Sequence, residues 1–370
     1  MTPTPLDNFH RMMRGDDCDW LPLNLPMTPP VLDRMQQRRG SRDAVEAFDI
    51  DLVYAGVGIG GRRDEWAAAY AELGVELTDD LLLDAKTGSL HRKPDAASVG
   101  EAYHFMEMLH PLEHVTELKQ LESLPWPRER DWREASKDYP AQVEALHARG
   151  RAVCGANACT CFEAAWYLRG MDQLLFDLHE GADLGGWLLD KICHISRRQA
   201  LANCEAGVDM IQFGDDVGMQ TGMMMHPDFW RQHFKPRLAA TIAFVREHER
   251  RHTYIAYHSD GNITDIVDDL IEIGVEVLNP LQPECMPVRE TIERFKDRLA
   301  FWGLIGTQTT MPFGTPDEVR AVVKEAYDLA AQGARIVLAP THVLEPDVPW
   351  ENIEALVQAA QQPRMQAARG

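Results

Sequence analysis

Short apolar runs that break off abruptly into polar residues recur along this chain, and their recurrence restricts its fold more than any other feature. The clearest is Tyr254–Asn262, YIAYHSDGN. Residues two apart on a strand project to the same side, so His258 and Asp260 leave such a strand end together. Gly261 permits the sharp turn that follows. A comparable ending lies near the C-terminus, where Arg335–Pro340 (RIVLAP) runs into Thr341-His342.

Eight runs of this kind can be read in order. They are Leu21–Pro26, Asp51–Val57, Ala152–Thr160, Asp209–Gly214, the HSDGN element, Val275–Pro280, Leu299–Gly306 and Arg335–Pro340. Polar side chains mark their ends: Asn24, Asn157, the pair Asp215-Asp216, Asn279 with Gln282, and Gln308. Helical patterns separate most of them, at 163–179, 184–205, from His226 toward 250 with a bend at Pro236, 264–273 and 288–298. Thr315-Pro316-Asp317-Glu318 is a capping box with proline at the first helical position. Strand alternating with helix predicts an α/β fold, a parallel (β/α)8 TIM barrel forming one domain. Such barrels place their sites at the C-terminal strand ends, where these polar residues fall.

Two stretches need a separate reading. Gly56–Gly61 fits G-x-G-x-x-G, but the helix after it opens with Arg62-Arg63-Asp64-Glu65 where close packing is required, so a loop at a strand end is the better reading. Residues 62–150 are too long for a plain connection. They read as an insertion or lid between the second and third strands, with a hairpin over 76–92 turning at Lys86-Thr87-Gly88.

Composition narrows the function classes. Lys+Arg of 37 against Asp+Glu of 58 gives a net charge of −21, which disfavours nucleic acid and anionic membrane as general partners. No run of about 20 apolar residues offers a spanning helix, and MTPTPLDNFH lacks the apolar core of a secretory signal. Seven scattered cysteines favour reduced thiols and a cytoplasmic location.

His258, Asp260 and His342 form the candidate metal set, because two imidazoles and a carboxylate at strand ends can hold a divalent ion with open positions. The alternative is that they bind substrate or one another without metal. Asp215, Asp216 and Glu163 are the candidate catalytic groups, able to orient a ligand or move a proton. Asn24, Asn157, Asn279, Gln282 and Gln308 are candidate substrate-binding residues. Cys159, Cys161 and Cys285 are soft donors in principle, although small buried thiols more often pack.

Five segments carry a resemblance: DDVGMQTGMMMHPDFWRQHFKPRL (Asp215–Leu238), YHSDGN (Tyr257–Asn262), VLNPLQP (Val277–Pro283), FGTPDEV (Phe313–Val319) and APTHVLEPDVPWENI (Ala339–Ile353). With them the chain resembles the uroporphyrinogen decarboxylase superfamily, which also includes zinc- and corrinoid-linked methyltransferases. The resemblance implies a (β/α)8 barrel. Two departures bear on the branch. The decarboxylases carry an N-terminal RQAGR-type motif whose arginines grip substrate carboxylates, and Leu23–Gly40 (LNLPMTPPVLDRMQQRRG) has none. His342 does fall where the decarboxylases have a C-terminal histidine. The methyltransferases bind zinc through His-x-Cys and a later Cys, and His258, Asp260 and His342 stand in those places. The resemblance therefore implies methyl transfer from a small substrate to a corrinoid carried by a separate protein, with a divalent metal, zinc foremost. The alternatives are a cofactor-free decarboxylase of a smaller acid and a non-catalytic binding barrel.

Overall fold

Buried strands that are each returned to the same end of a sheet by a helix pair in parallel. The computed structural model describes residues 3–92 and 107–367, and among these the strands are β1 (Leu52–Ala55), β2 (Leu81–Leu83), β3 (Leu90–Arg92), β4 (Met108–Leu109), β5 (Ala152–Ala158), β6 (Met210–Gly214), β7 (Tyr254–His258), β8 (Val277–Leu281), β9 (Ala300–Ile305) and β10 (Arg335–Pro340). Seven of them form one sheet ordered β1-β5-β6-β7-β8-β9-β10, parallel throughout. The other three form a small antiparallel sheet, β2-β3-β4.

The segment around Leu23 joins the two edges of the large sheet. The Leu23 carbonyl accepts from the amides of Asp51 (2.9 Å) and Leu52 (3.1 Å) beside β1. On the other side the Asn24 amide donates to the Leu338 carbonyl (3.0 Å), and the Leu338 amide to the Pro22 carbonyl (2.8 Å). The first expected strand is therefore an extended bridge between the edges rather than a regular strand. Pro22 and Pro26 lack the N–H groups that a longer ladder would need.

Alternation along the strands separates two cores. Leu52, Cys154, Met210, Ala256, Val277 and Trp302 face inward and pack with Phe9, Met12 and Met13 of helix Pro5–Arg14, which lies at the N-terminal ends of the strands. The intervening residues join a larger core shared with the outer helices. The N-terminal end of the lumen is thus filled, which leaves the C-terminal end for the site.

Two helical expectations shift. The run at 163–179 is divided into Phe162–Arg169 and Met171–Glu180 by Gly170, whose φ of 79° no helical residue adopts. The helix after His226 breaks at Phe234, giving Pro227–His233 and Lys235–His248. Pro236 sits in the first turn of the second piece, where its missing N–H costs nothing.

The glycine run forms a loop between β1 and helix Arg63–Glu72. Beyond it, β2 and β3 pair as the expected hairpin, with Lys86, Thr87 and Gly88 in the turn. Residues 93–106 of the expected insertion lie outside the described residues; its described parts pack beside the helices that follow β5, with the rings of His91 and Tyr167 5.7 Å apart and those of Trp126 and Trp187 6.1 Å apart. Among the described residues no helix is long and apolar enough to cross a membrane.

Candidate active site

The loops after β6 and β7 approach so closely that neither tolerates a side chain at the contact. A Cβ on Gly218 would lie 2.5 Å from the Asp260 carbonyl oxygen, and one on Gly261 would lie 2.5 Å from the Gly218 carbonyl carbon. Gly261 has a φ of 85°, so its backbone also favours glycine. The Asp260 amide donates to Asp216 Oδ1 at 2.8 Å, and the Ser259 hydroxyl accepts from the Val217 amide at 3.0 Å. These contacts place Asp216, His258 and Asp260 on one side of the mouth.

His342 comes in from the end of β10. One donor atom from each of His258, Asp260 and His342 lies within 4.8 Å of the others. The two imidazole rings are 6.2 Å apart, tilted by 41°. Asp260 Oδ1 is buried without a hydrogen-bond partner, while His258 Nδ1 is engaged by Asn279 Oδ1 at 2.7 Å. His258 Nε2 lies 3.7 Å from Asp216 Oδ1. An unsatisfied buried carboxylate oxygen beside two imidazoles is what a divalent cation would satisfy, so these residues fit a metal.

Three carboxyl groups here, Asp260, Asp215 and Glu163, are hard to ionise. Burial pushes Asp260 up to about 7, aided by Asp216 and Glu284 and opposed by His258. Asp215 is also raised by burial to about 7, although the amides of Glu163 and Cys161 donate to its Oδ1 at 2.9 and 3.0 Å. Burial raises Glu163 to about 8, with the charges of Asp216 and Asp215 adding to it. Its Oε1 accepts from the Tyr167 hydroxyl at 2.7 Å. For His258, burial acts downward, but Asp216, Asp260 and the bond to Asn279 outweigh it and raise the ring. Among the described residues no Lys or Arg is ion-paired with Glu163, Asp215, Asp216, Asp260 or Glu284; the pair made here is Asp216 with His258.

The expected substrate-binding residues divide. Asn279 is buried beneath His258, and Gln282 Oε1 accepts from the Gly261 amide at 3.0 Å, bracing the turn. Gln308 is exposed and accepts from Gln220 at 2.6 Å. Asn24 donates to the Leu52 carbonyl at 2.9 Å, while its Oδ1 is buried without a partner. Asn157 donates to the Ser196 carbonyl at 2.9 Å. It shares its side of β5 with Gly155, which abuts Asn203, so it packs against helix Asp183–Ala206 rather than lining the mouth.

Burial holds the Cys159 and Cys161 thiols well above their ordinary range, which disfavours the thiolates a soft metal site needs. Four further residues belong here that the sequence does not single out: Gln212, Tyr54, Tyr167 and Glu284. Glu284 Oε1 accepts from the Thr309 hydroxyl at 2.8 Å. Gln212 carries a legible signal, because a polar side chain within the buried run MIQFG needs a partner.

The family described as uroporphyrinogen decarboxylase (URO-D) matches residues 111–363. The chain belongs to that family. Within the URO-D superfamily it lies nearer the corrinoid-linked methyltransferases than uroporphyrinogen decarboxylase itself. It is 30% identical over 176 residues to the methylcobamide:CoM methyltransferase MtaA of Methanosarcina barkeri, covering 46% of this chain and 48% of that protein. It is 29% identical over 177 residues to the same enzyme of M. barkeri strain Fusaro, covering 48% of each. The chain thus spans about half the length of the curated relatives it matches. In three dimensions it resembles a methyltransferase from Methanosarcina mazei, with a TM-score of 0.67 at 19% identity over 97% of this chain and 99% of that one. That likeness carries the fold.

Proposed function

We propose that this URO-D family member transfers a methyl group from a small methylated substrate to a corrinoid carried by a separate protein, with His258, Asp260 and His342 holding a divalent metal, zinc foremost. The observation that supports this most is the convergence of three donor atoms within 4.8 Å, one of them an otherwise unsatisfied carboxylate oxygen. Kinship with methylcobamide:CoM methyltransferases supports methyl transfer that involves a corrinoid, while the direction from substrate to corrinoid is this reading's own.

When bound, such a metal supplies Lewis acidity toward the heteroatom that gives up the methyl group. Nitrogen and oxygen donors replace the thiolates of the zinc methyltransferases, which suits an oxygen leaving atom better than a thiol. Glu163, which burial and the neighbouring aspartates raise to about 8 in the metal-free chain, can return a proton to the leaving oxygen. Tyr167 orients that carboxyl through its hydroxyl. Asp215 anchors the start of the helix that carries Glu163, and Asp216 holds the Asp260 amide. In this reading the chain is one domain, and the described parts of the insertion, 62–92 and 107–150, lie beside the mouth, where the corrinoid protein must dock.

The experiment combines metal analysis of untagged protein with mixing against a reduced corrinoid protein and a panel of methoxylated and methylated small molecules. The expected result is stoichiometric metal and a methylated corrinoid, seen by absorbance with wild type and lost with Asp260→Ala. Metal-free protein that transfers no methyl group from a broad panel would overturn the reading in favour of a metal-free lyase. Uroporphyrinogen should not be decarboxylated at an enzymatic rate of about 1 per second or more, because the N-terminal RQAGR-type motif that grips its carboxylates is missing.

A further inference from the structure

Three strands contribute a buried polar chain beneath the site. Gln212 on β6 and Asn279 on β8 are 7% and 5% exposed, and His258 stands at the end of β7 between them. Asn279 Oδ1 lies 2.6 Å from Gln212 Nε2 and 2.7 Å from His258 Nδ1.

An amide oxygen has lone pairs and no proton. With the Gln212 N–H donating to it, His258 can approach at Nδ1 only by donating as well. The imidazole is then the Nδ1–H tautomer, and its lone pair lies on Nε2. That atom faces Asp216, on the side where Asp260 and His342 converge. Turning the Asn279 amide over would present its NH2 to His258 and demand the opposite tautomer. It would also set that NH2 against the Gln212 NH2, leaving two buried donors facing each other. The opposite tautomer therefore requires the Gln212 amide to turn over as well, so that its Oε1 and not its NH2 faces Asn279. The Tyr54 ring stacks on Trp302 with centroids 5.6 Å apart.

We infer that Gln212 is a positioning residue: acting through Asn279, it fixes His258 as the Nδ1–H tautomer and so presents the Nε2 lone pair to the ligand of the site. The consequence for metal affinity rests on the metal reading above; the tautomer does not. A residue that sets the tautomer of a ligating histidine typically changes metal affinity 10–100-fold.

The test is the 15N spectrum of the metal-free protein, at a pH that leaves the ring neutral, for wild type, Gln212→Leu and Gln212→Glu. Wild type should show Nδ1 protonated and Nε2 bare. Gln212→Leu should give a mixture, and Gln212→Glu, which offers Asn279 an acceptor, should shift the ring toward Nε2–H. Zinc affinity by calorimetry should fall roughly 10–100-fold in both variants. Asn279→Asp, whose carboxylate still accepts from both neighbours, should keep the wild-type tautomer. Wild-type His258 found as Nε2–H would overturn the inference even if no variant folds. Variants that fold and keep the wild-type tautomer would overturn it too. Should wild type bind no zinc, the metal reading fails while the spectra still decide the tautomer.

Discussion

The Tyr167 hydroxyl donates to Glu163 Oε1 at 2.7 Å, one helical turn away along the helix that follows β5. That bond favours the carboxylate, yet burial and two neighbouring aspartates prevail and carry Glu163 from its ordinary 4.5 to about 8. The folded state therefore prefers the protonated acid. This contribution to stability is fully present below about 4.5 and is lost as the pH rises through about 8. Glu163→Gln keeps an acceptor for Tyr167 and removes the titration. Metal-free Glu163→Gln should match wild type near pH 5 and exceed it by roughly 2–4 kcal/mol at pH 9, since a tenfold change in an ionisation constant corresponds to about 1.4 kcal/mol. Thermal melts across pH check this, and a difference that does not grow with pH would refute it.

Metal occupancy should be legible in stability. A cation that binds only the folded chain at about 100 times its Kd adds about 2.7 kcal/mol. Wild type should gain roughly this with zinc and lose it with chelator. Asp260→Asn should gain little, because it replaces the unsatisfied carboxylate with a neutral amide of similar shape. Equal zinc-dependent shifts in the two proteins would place the ion elsewhere.

Gly218 tests the contact between the two loops. Gly218→Ala would drive a methyl into the Asp260 carbonyl and the Asn262 amide, both of them backbone atoms. The loops have to part, at a cost of about 1–3 kcal/mol, and Asp260 moves with them. Zinc affinity should fall at least tenfold. A crystal structure of the variant with an unmoved Asp260 would contradict this account.

At the opposite end of the sheet, Asp209 is fully buried just before β6. Its carboxylate is met by His10 (3.0 Å), His147 (2.8 Å), Arg251 (2.9 Å) and the Val153 amide (2.8 Å). Burial acts to raise it, but these partners prevail and hold it at about 2. Its contribution is present above the ordinary 3.8 and is lost as the pH falls toward 2. Asp209→Asn should destabilise the protein by roughly 3–5 kcal/mol at neutral pH, as removing one partner from a buried ionic cluster does. Denaturant melts should also show a flatter acid limb, with zinc affinity unchanged.

The sequence by itself determined the strands, because a buried parallel strand must be an apolar run and its end must turn polar. Seven of the eight runs are regular strands of the large sheet, and the pairing of His258 with Asp260 follows from the two-residue period of a strand. The hairpin and the capping box at Thr315 were legible for the same reason: their signals are local in the chain. Only the tertiary structure decided which residues meet across strands. His342 reaches His258 because the sheet curls, and the bridge at Leu23 that joins its edges depends on partners about 30 and 315 positions away in the chain. Asn157 and Asn279 each follow an apolar run in the sequence, yet one packs against a helix and the other lies under the site, because they fall on opposite faces. The raised pKa values of Glu163, Asp215 and Asp260 arise from burial and from neighbouring carboxylates. No spacing along the chain encodes them, since desolvation belongs to the packed structure.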